Sequence, residues 1–415
     1  MMIFLYLIKE SFLFAINSLI VNRVRTILSL LGITIGIFAI IAVFTAIDSL
    51  ENSIRSSIAK LGDNVVYVQK WPWSFGSDYP WWDYMKRPVP RLTEKDDILK
   101  RSQLAKSAAF MVYFQRTVQY RRNSANNIQI IGTSAEFENI RSFEIVKGRY
   151  FSEFESATGK NKAMLGYTIA SELFKDTDPI GKEFKIGSQK FVVVGVYQKE
   201  GDDMFGMSPD YEIHIPITYA RNIVNLRDEN LGPMIMVKAV DGVSVDELID
   251  ELQGIMRSVR RLKPQQKDDF ALNKSSVISQ GFESIFVVMD LAGIIIGGFS
   301  ILVGGFGIAN IMFVSVKEQT KAIGIQKAIG ARRYFILLQF LYEATILSLI
   351  GGIVGLLLIW ILTLIVSNTT GMIFTLSAVN ITIGLTISIV VGILSGIIPA
   401  YTASRLDPVI AINAN

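Results

Sequence analysis

Residues 315–333, Ser315-Val-Lys317-Glu318-Gln-Thr-Lys321-Ala-Ile323-Gly324-Ile325-Gln-Lys327-Ala328-Ile-Gly330-Ala331-Arg-Arg333, decide how this chain is read. The stretch lies between two long apolar segments and carries five of the nine basic residues found outside residues 49–284. A short basic helix between two membrane spans is suited to touching something on the basic side of the bilayer and passing force into it.

Working outward, charge disappears from Thr26 to Ile47, from Leu291 to Val316 and from Ala344 to Ser404. Each gap exceeds the roughly 20 residues that a helix needs to cross about 30 Å of hydrocarbon. The last is long enough for two crossings, and Ser367-Asn368-Thr369-Thr370-Gly371 breaks it with turn chemistry. The expectation is a membrane protein with four transmembrane α-helices at residues 25–48, 285–314, 334–366 and 380–404. A large α/β extracytoplasmic domain, 49–284, is inserted between spans 1 and 2. The remaining segments are an amphipathic N-terminal helix (1–24), the 315–333 coupling helix or turn, a short loop (367–379) and a tail (405–415). Met1–Asn22 lacks a short basic leader and reads as part of an uncleaved anchor.

Mean hydropathy of +0.39 with 50% hydrophobic residues is too apolar for a soluble globule and too polar for a chain that is all membrane. Lys9, Arg23 and Arg25 precede the first span, the 315–333 stretch separates the second and third, and Arg405 follows the fourth. The positive-inside rule therefore puts both termini and 315–333 in the cytosol. Residues 49–284 hold 32 Lys/Arg against 31 Asp/Glu, a balance that says nothing of their side. There is no cysteine, so no disulfide framework. The basic residues form no soluble patch for nucleic acid.

Within 49–284, Val65–Val68, Phe110–Phe114, Ile128–Ile131, Phe191–Val196 and Met234–Val237 are strand-like. Asp246–Val259 has helical periodicity. Leu50, Ile54, Ile58 and Leu61 share one helical face continuing span 1, and Val277–Met289 leads into span 2, so two helices could form a stalk. Trp71, Trp73, Trp81 and Trp82, with Pro and Tyr neighbours, make a rigid aromatic segment. It reads first as a loop packed on its own domain, and alternatively as a recognition surface or a contact with outer lipid.

Each span carries two glycines four apart: Gly32 and Gly36, Gly293 and Gly297, Gly351 and Gly355, Gly392 and Gly396. This pattern lets helix backbones approach closely, and four instances imply tight packing with few faces left for lipid. Asp48, Asp290 and Glu343 lie toward span ends and read as interfacial anchors rather than an ion relay. No G-x-x-x-x-G-K-[ST] phosphate loop, H-E-x-x-H or G-x-S-x-G motif occurs. The single histidine, His214, reads as a strand-edge residue. No catalytic residue, metal site or cofactor site is expected in this chain.

The chain resembles the MacB-type permease family of ABC transporters, a group that also includes FtsX-like and LolC-like permeases. Asp178-Pro-Ile-Gly-Lys182 with Phe191–Val196, and Met164-Leu-Gly166 with Ala170–Phe174, are similar to its outer-domain signatures. Ala309–Met312, Glu318, Ile323–Ile325 and Lys327–Ala331 are similar to the family's turn that contacts the ATPase. Glu343, Gly351-Gly352, Pro399-Ala400, Ala403, Arg405 and Asp407-Pro408 also match. Gln319, Ala322 and Gln326 depart from the family's charged residues, so a different charge pairing at the ATPase contact is expected, which leaves partner choice open but not the fold.

The resemblance implies an ABC ATPase partner that binds ATP and Mg and contacts Lys317, Glu318, Lys321, Ile323, Gly324, Ile325, Lys327, Ala328, Gly330 and Ala331. It implies a second permease copy, as homodimer or heterodimer, in a bacterial inner membrane. Without an ATPase motif, the ATPase is expected on a separate subunit. The implied function is export or efflux of a periplasmic substrate by mechanotransmission, with a periplasmic adaptor and an outer-membrane duct as further expected partners. The alternatives are a lipoprotein-releasing permease, an FtsX-like regulator of cell-wall hydrolases, and a receptor or scaffold without an ATPase.

Overall fold

The structure is a computed structural model, and it describes residues 23–59, 61–74, 79–141, 143–175, 177–201, 208–370 and 374–412. The expected amphipathic helix at 1–24 falls almost entirely outside these. The described residues form two units, 1–52 with 285–415 and 53–284.

Helix α1 (Arg23–Ala59) has 37 residues. At 1.5 Å per residue that is about 55 Å, well beyond the hydrocarbon core, so its polar end from Asp48 onward overruns the bilayer. Chain β1 (Val65–Gln69), α2 (Trp81–Met85), α3 (Leu92–Arg101), β2 (Ala105–Tyr120) and β3 (Asn123–Thr133) opens the second unit. Then come α4 (Phe137–Ile140), β4 (Ile145–Gly148), α5 (Glu153–Ala157), β5 (Lys162–Leu165), α6 (Tyr167–Phe174), β6 (Glu183–Ile186) and β7 (Gln189–Tyr197). The unit closes with β8 (Glu212–Pro216), α7 (Ile217–Ala220), β9 (Met234–Ala239), α8 (Val245–Val259) and β10 (Ala271–Lys274).

The strands form one mixed sheet in the order β10-β1-β9-β2-β3-β8-β5-β7-β4. Two pairings are parallel, β3 with β8 and β5 with β7. β2 carries a bulge between Arg116 and Val118. A bulge bends a strand, and beyond this one Val118 and Gln119 pair with β6, which also pairs with β7. The cycle β2-β3-β8-β5-β7-β6 thus returns on itself around Val118, Ile130, Leu165, Phe184, Phe191, Val193 and Ile213, all buried. Helices α3 and α8 bury Ile98, Leu248, Leu252 and Met256 in the same core. Arg260 grips Glu94 by two hydrogen bonds of 3.0 Å, and both side chains are buried. All the strand-like runs read from the sequence are strands, and 246–259 is helical.

His214 is not at a strand edge. β8 lies between β3 and β5, and the imidazole is fully buried beside Tyr197 at 5.0 Å between ring centroids. Alternation along β8 puts it on the face opposite Ile213 and Ile215, where Phe137, Phe143 and Tyr197 cover it.

In the first unit, α9 (Ser275–Glu318), α10 (Thr320–Ala328), α11 (Arg333–Thr370), α12 (Ala378–Arg405) and α13 (Pro408–Ile412) complete the chain. Among the described residues four helices are long and apolar enough to cross a membrane: α1, α9, α11 and α12. The break expected after 366 comes a turn later, because α11 continues to Thr370.

Glycine sets the spacing of these helices at most, not all, of the expected positions. A Cβ on Gly36 would fall 2.8 Å from the Ser300 carbonyl oxygen, and one on Gly297 would fall 2.4 Å from Ile40. Gly293 faces Val43, Gly351 faces Ile33, Gly355 faces the Thr34 carbonyl, and Gly396 faces Ala344. At Gly392 the obstacle is the Cα of Thr345, 2.7 Å away. Gly32 departs from the expectation: a Cβ there meets nothing within 4 Å, and it is Gly304 that approaches the Gly32 backbone. Along α9, Val287, Val288, Leu291, Phe299, Val303 and Phe306 are exposed on the single chain.

Hydrogen bonds between spans supplement this packing. Ser348 donates to the Ser388 carbonyl (2.6 Å), Thr34 to the Gly351 carbonyl (3.2 Å), and Asn380 to Asp48 (2.8 Å).

Candidate functional site

The decisive stretch folds as a helix–helix–turn. α9 runs on to Glu318, Gln319 interrupts it, and α10 begins at Thr320. Gly330 ends the turn with φ of +106°, a conformation that suits glycine because side chains crowd there. α11 then begins at Arg333.

α10 has two unlike faces. Ile323 and Gly324 are buried. Lys321, Ala322, Ile325, Ala328 and Ile329 share the opposite, exposed face at helical spacing, with Ile325 52% and Ile329 83% exposed. Lys317, Glu318, Arg332 and Arg333 are exposed around it. The result is a small apolar surface with a basic border, at the end of the bundle where α9 stops and α11 starts.

Four of the residues read as partner contacts have contacts within the chain. Ile323 joins the core of the helical unit. Gly324 receives α13: a Cβ there would lie 2.9 Å from Ala411 Cβ and 3.0 Å from the Ile412 nitrogen. Lys327 donates from Nζ to the carbonyls of Ser404 and Leu406, each at 2.6 Å. These carbonyls close the C-terminal end of α12, where a cation meets the negative end of the helix dipole and contributes on the order of 1 kcal/mol. Burial, with Arg333 nearby, holds the Lys327 ammonium below the ordinary lysine value. Ala331 also packs against the core.

Behind this surface lies a polar chain that the sequence reading missed. Gln319 donates to Ser315 Oγ (3.1 Å), and Ser315 donates to Glu343 (3.3 Å). Glu343 is therefore buried between α9 and α11 and is not an interfacial anchor. Its place ten residues into α11 is a signal that could have suggested this, since a span-end anchor sits nearer the helix start. Asp290, by contrast, is exposed.

The aromatic segment divides. Trp73 stacks on Tyr67 at 5.0 Å, and its backbone N–H donates to Asn273 Oδ1 at 2.9 Å. Asn273 also donates to the Trp71 carbonyl, so this part of the segment is pinned to β10. Trp71, Trp81 and Trp82 stay exposed at the surface of the second unit. Among the described residues no group of three or more His, Cys, Asp or Glu could hold a metal ion.

Four helices long and apolar enough to cross a membrane, with an α/β domain inserted after the first, mark a multi-pass membrane protein, and comparison with known proteins gives the lineage. Residues 26–255 match the MacB-like periplasmic core domain, and residues 294–408 match the FtsX-like permease C-terminal domain. The chain belongs to this MacB-like family of ABC transporter permeases. It is 32% identical over 95% of its length to a macrolide export ATP-binding/permease protein MacB of Bdellovibrio bacteriovorus. It is 28% identical over 95% of its length to the pyoverdine export ATP-binding/permease protein PvdT of Pseudomonas fluorescens. The chain spans 60% and 58% of these two relatives. The crystal structure of the periplasmic region of MacB from Actinobacillus actinomycetemcomitans aligns with 55% of this chain and 97% of its own, at 16% identity and a TM-score of 0.44.

Proposed function

We propose that this chain is the permease of an ATP-driven exporter that works on a substrate outside the membrane. An ATP-binding partner carrying ATP and Mg docks on the exposed face of α10. Its closure moves α9, α11 and α12, and the motion reaches the domain at 53–284. Both termini and α10 lie on the cytosolic side of a bacterial inner membrane. Nothing crosses between the spans. A second permease copy covers part of the exposed apolar face of α9, and a periplasmic adaptor with an outer-membrane duct receives the substrate.

The observation that carries this reading is the two-faced α10. Ile325 and Ile329 are open, while Ile323 and Gly324 anchor the same helix to the bundle. A helix held firmly on one side and apolar on the other transmits what binds it. The glycine and serine contacts between spans support a solid bundle rather than a channel. The relatives' names give two different exported compounds, macrolide and pyoverdine, so the substrate class here is left at export.

The test is purification of the chain from its native membranes in mild detergent, with mass-spectrometric identification of stoichiometric components. An ATP-binding component with a phosphate loop at about one per permease is the expected result. A second, unlike permease beside it turns the reading to lipoprotein release, and recovery of a cell-wall hydrolase activator turns it to an FtsX-like regulator. Purification without any ATP-binding component overturns the proposal in favour of a receptor or scaffold.

A further inference from the structure

The match to the FtsX-like permease domain stops at residue 408, yet the chain folds on into α13, Pro408–Ile412. Asp407 starts this turn, with Oδ1 accepting from the Val409 N–H at 2.8 Å. Ala411 is buried on Gly324. Val409 and Ile410 are 70% and 72% exposed, more open than Ile325 on α10. A short helix that buries one small residue and exposes three β-branched ones, Val409, Ile410 and Ile412, is held in place for its outward face.

Two contacts hold it against α10. One is the Gly324 seat, where α10 contributes no side chain and Ala411 packs directly on its backbone. The other is Lys327, whose ammonium binds the carbonyls of Ser404 and Leu406, on the chain leading into α13. The exposed side of α10, with Ile325 and Ile329, and the exposed side of α13, with Val409 and Ile410, therefore belong to one braced assembly. Lys321, Arg332, Arg333 and Arg405 border it with positive charge, all exposed.

We infer that α10 and α13 together form one composite docking surface for the ATP-binding partner, with Lys327 as the positioning residue that keeps α13 in line. This inference rests on the export-permease reading above. The occupant is a protein groove with an apolar floor and an acidic rim, complementary to the isoleucines and their basic border. Continuity with the α10 face favours the ATP-binding partner over lipid headgroups, which basic and apolar residues also attract. The consequence is that the partner grips the end of α12 directly as well as the α9–α11 turn.

The experiment uses the full chain in its native membranes with its ATP-binding subunit tagged. Photoreactive benzoylphenylalanine is placed at position 410 or, separately, at 325. The expected result is a crosslink to the ATP-binding subunit from both positions. In a Lys327→Met background the yield from 410 falls about tenfold, the ratio expected for losing about 1.4 kcal/mol, while the yield from 325 holds. A purely structural loss lowers both. Crosslinking from 325 to the ATP-binding subunit with 410 reaching only lipid overturns the composite surface and leaves the export reading intact. Equal yields from 410 with and without Lys327→Met overturn its positioning role. Failure of both positions to reach the subunit overturns the export reading, and this inference with it.

Discussion

Single residues carry the steepest energetic demands of the fold. The Glu94–Arg260 pair is the clearest case, because two hydrogen bonds of 3.0 Å join side chains that are both buried. Glu94→Ala removes two hydrogen bonds from the buried guanidinium while Asp269 keeps hold of it at 3.2 Å, and should cost about 1–3 kcal/mol. Thermal unfolding of the purified full chain measures it. His214 gives a pH dependence. Burial pushes its pKa below the ordinary histidine value, with Glu212 at 3.4 Å opposing and Arg141 assisting. The unfolded chain therefore takes up a proton that the folded domain resists. The stability associated with a neutral His214 is complete above about pH 6.5 and declines as pH falls below it. His214→Phe should flatten the melting temperature between pH 7.5 and 5.5 relative to the parent chain, and an unchanged slope assigns the dependence to other groups. At this scale the sequence was least legible. The single histidine's burial depends on β8 lying between β3 and β5, and neither neighbour is adjacent in the chain. From sequence, Lys327 reads only as a contact for an ATPase partner, because the carbonyls it binds are 77 and 79 positions away.

Elements were far more legible. Charge-free runs longer than a bilayer located all four spans, and alternating β-rich runs located strands, since both signals are local. Their ends were less so: α11 outlasts the turn-like Ser367-Asn368-Thr369-Thr370 because Ser, Asn and Thr are tolerated at a helix end. Glycine pairs forecast contact but could not say which glycine faces a neighbour, as Gly32 illustrates. That difference can be measured. Gly32→Ala adds a methyl to open space within a helix and should leave stability unchanged or raise it by up to about 1 kcal/mol. Gly392→Leu drives a side chain against the backbone of Thr345 and should abolish a monodisperse, folded product in size-exclusion chromatography. Normal behaviour of the leucine variant removes close glycine packing from the account. The aromatic segment shows the same limit, because period and composition are alike for Trp73, stacked on Tyr67, and for the exposed Trp81 and Trp82.

For the whole molecule, the lineage was legible in the motifs spread along the chain, and so was the insertion of a large domain after the first span. The order of the ten strands was not, because sheet order is set by pairings between distant segments. The proposed orientation has a direct consequence in a chain without native cysteine. A cysteine in place of Trp82 should react with a membrane-impermeant maleimide in intact spheroplasts, whereas one in place of Lys321 should react only after permeabilisation. The reverse pattern inverts the topology.

The central claim is that ATP-driven motion enters the permease through the exposed face of α10. The most direct measurement is the maleimide labelling rate of a cysteine at position 325 in inside-out vesicles, with the ATP-binding subunit bound and after it is stripped away. A cysteine at 82 serves as the control in vesicles opened by detergent. The account requires at least about tenfold slower labelling at 325 when the subunit is bound, the protection expected of a residue buried in an interface, and no change at 82. Equal rates at 325 in the two states contradict it.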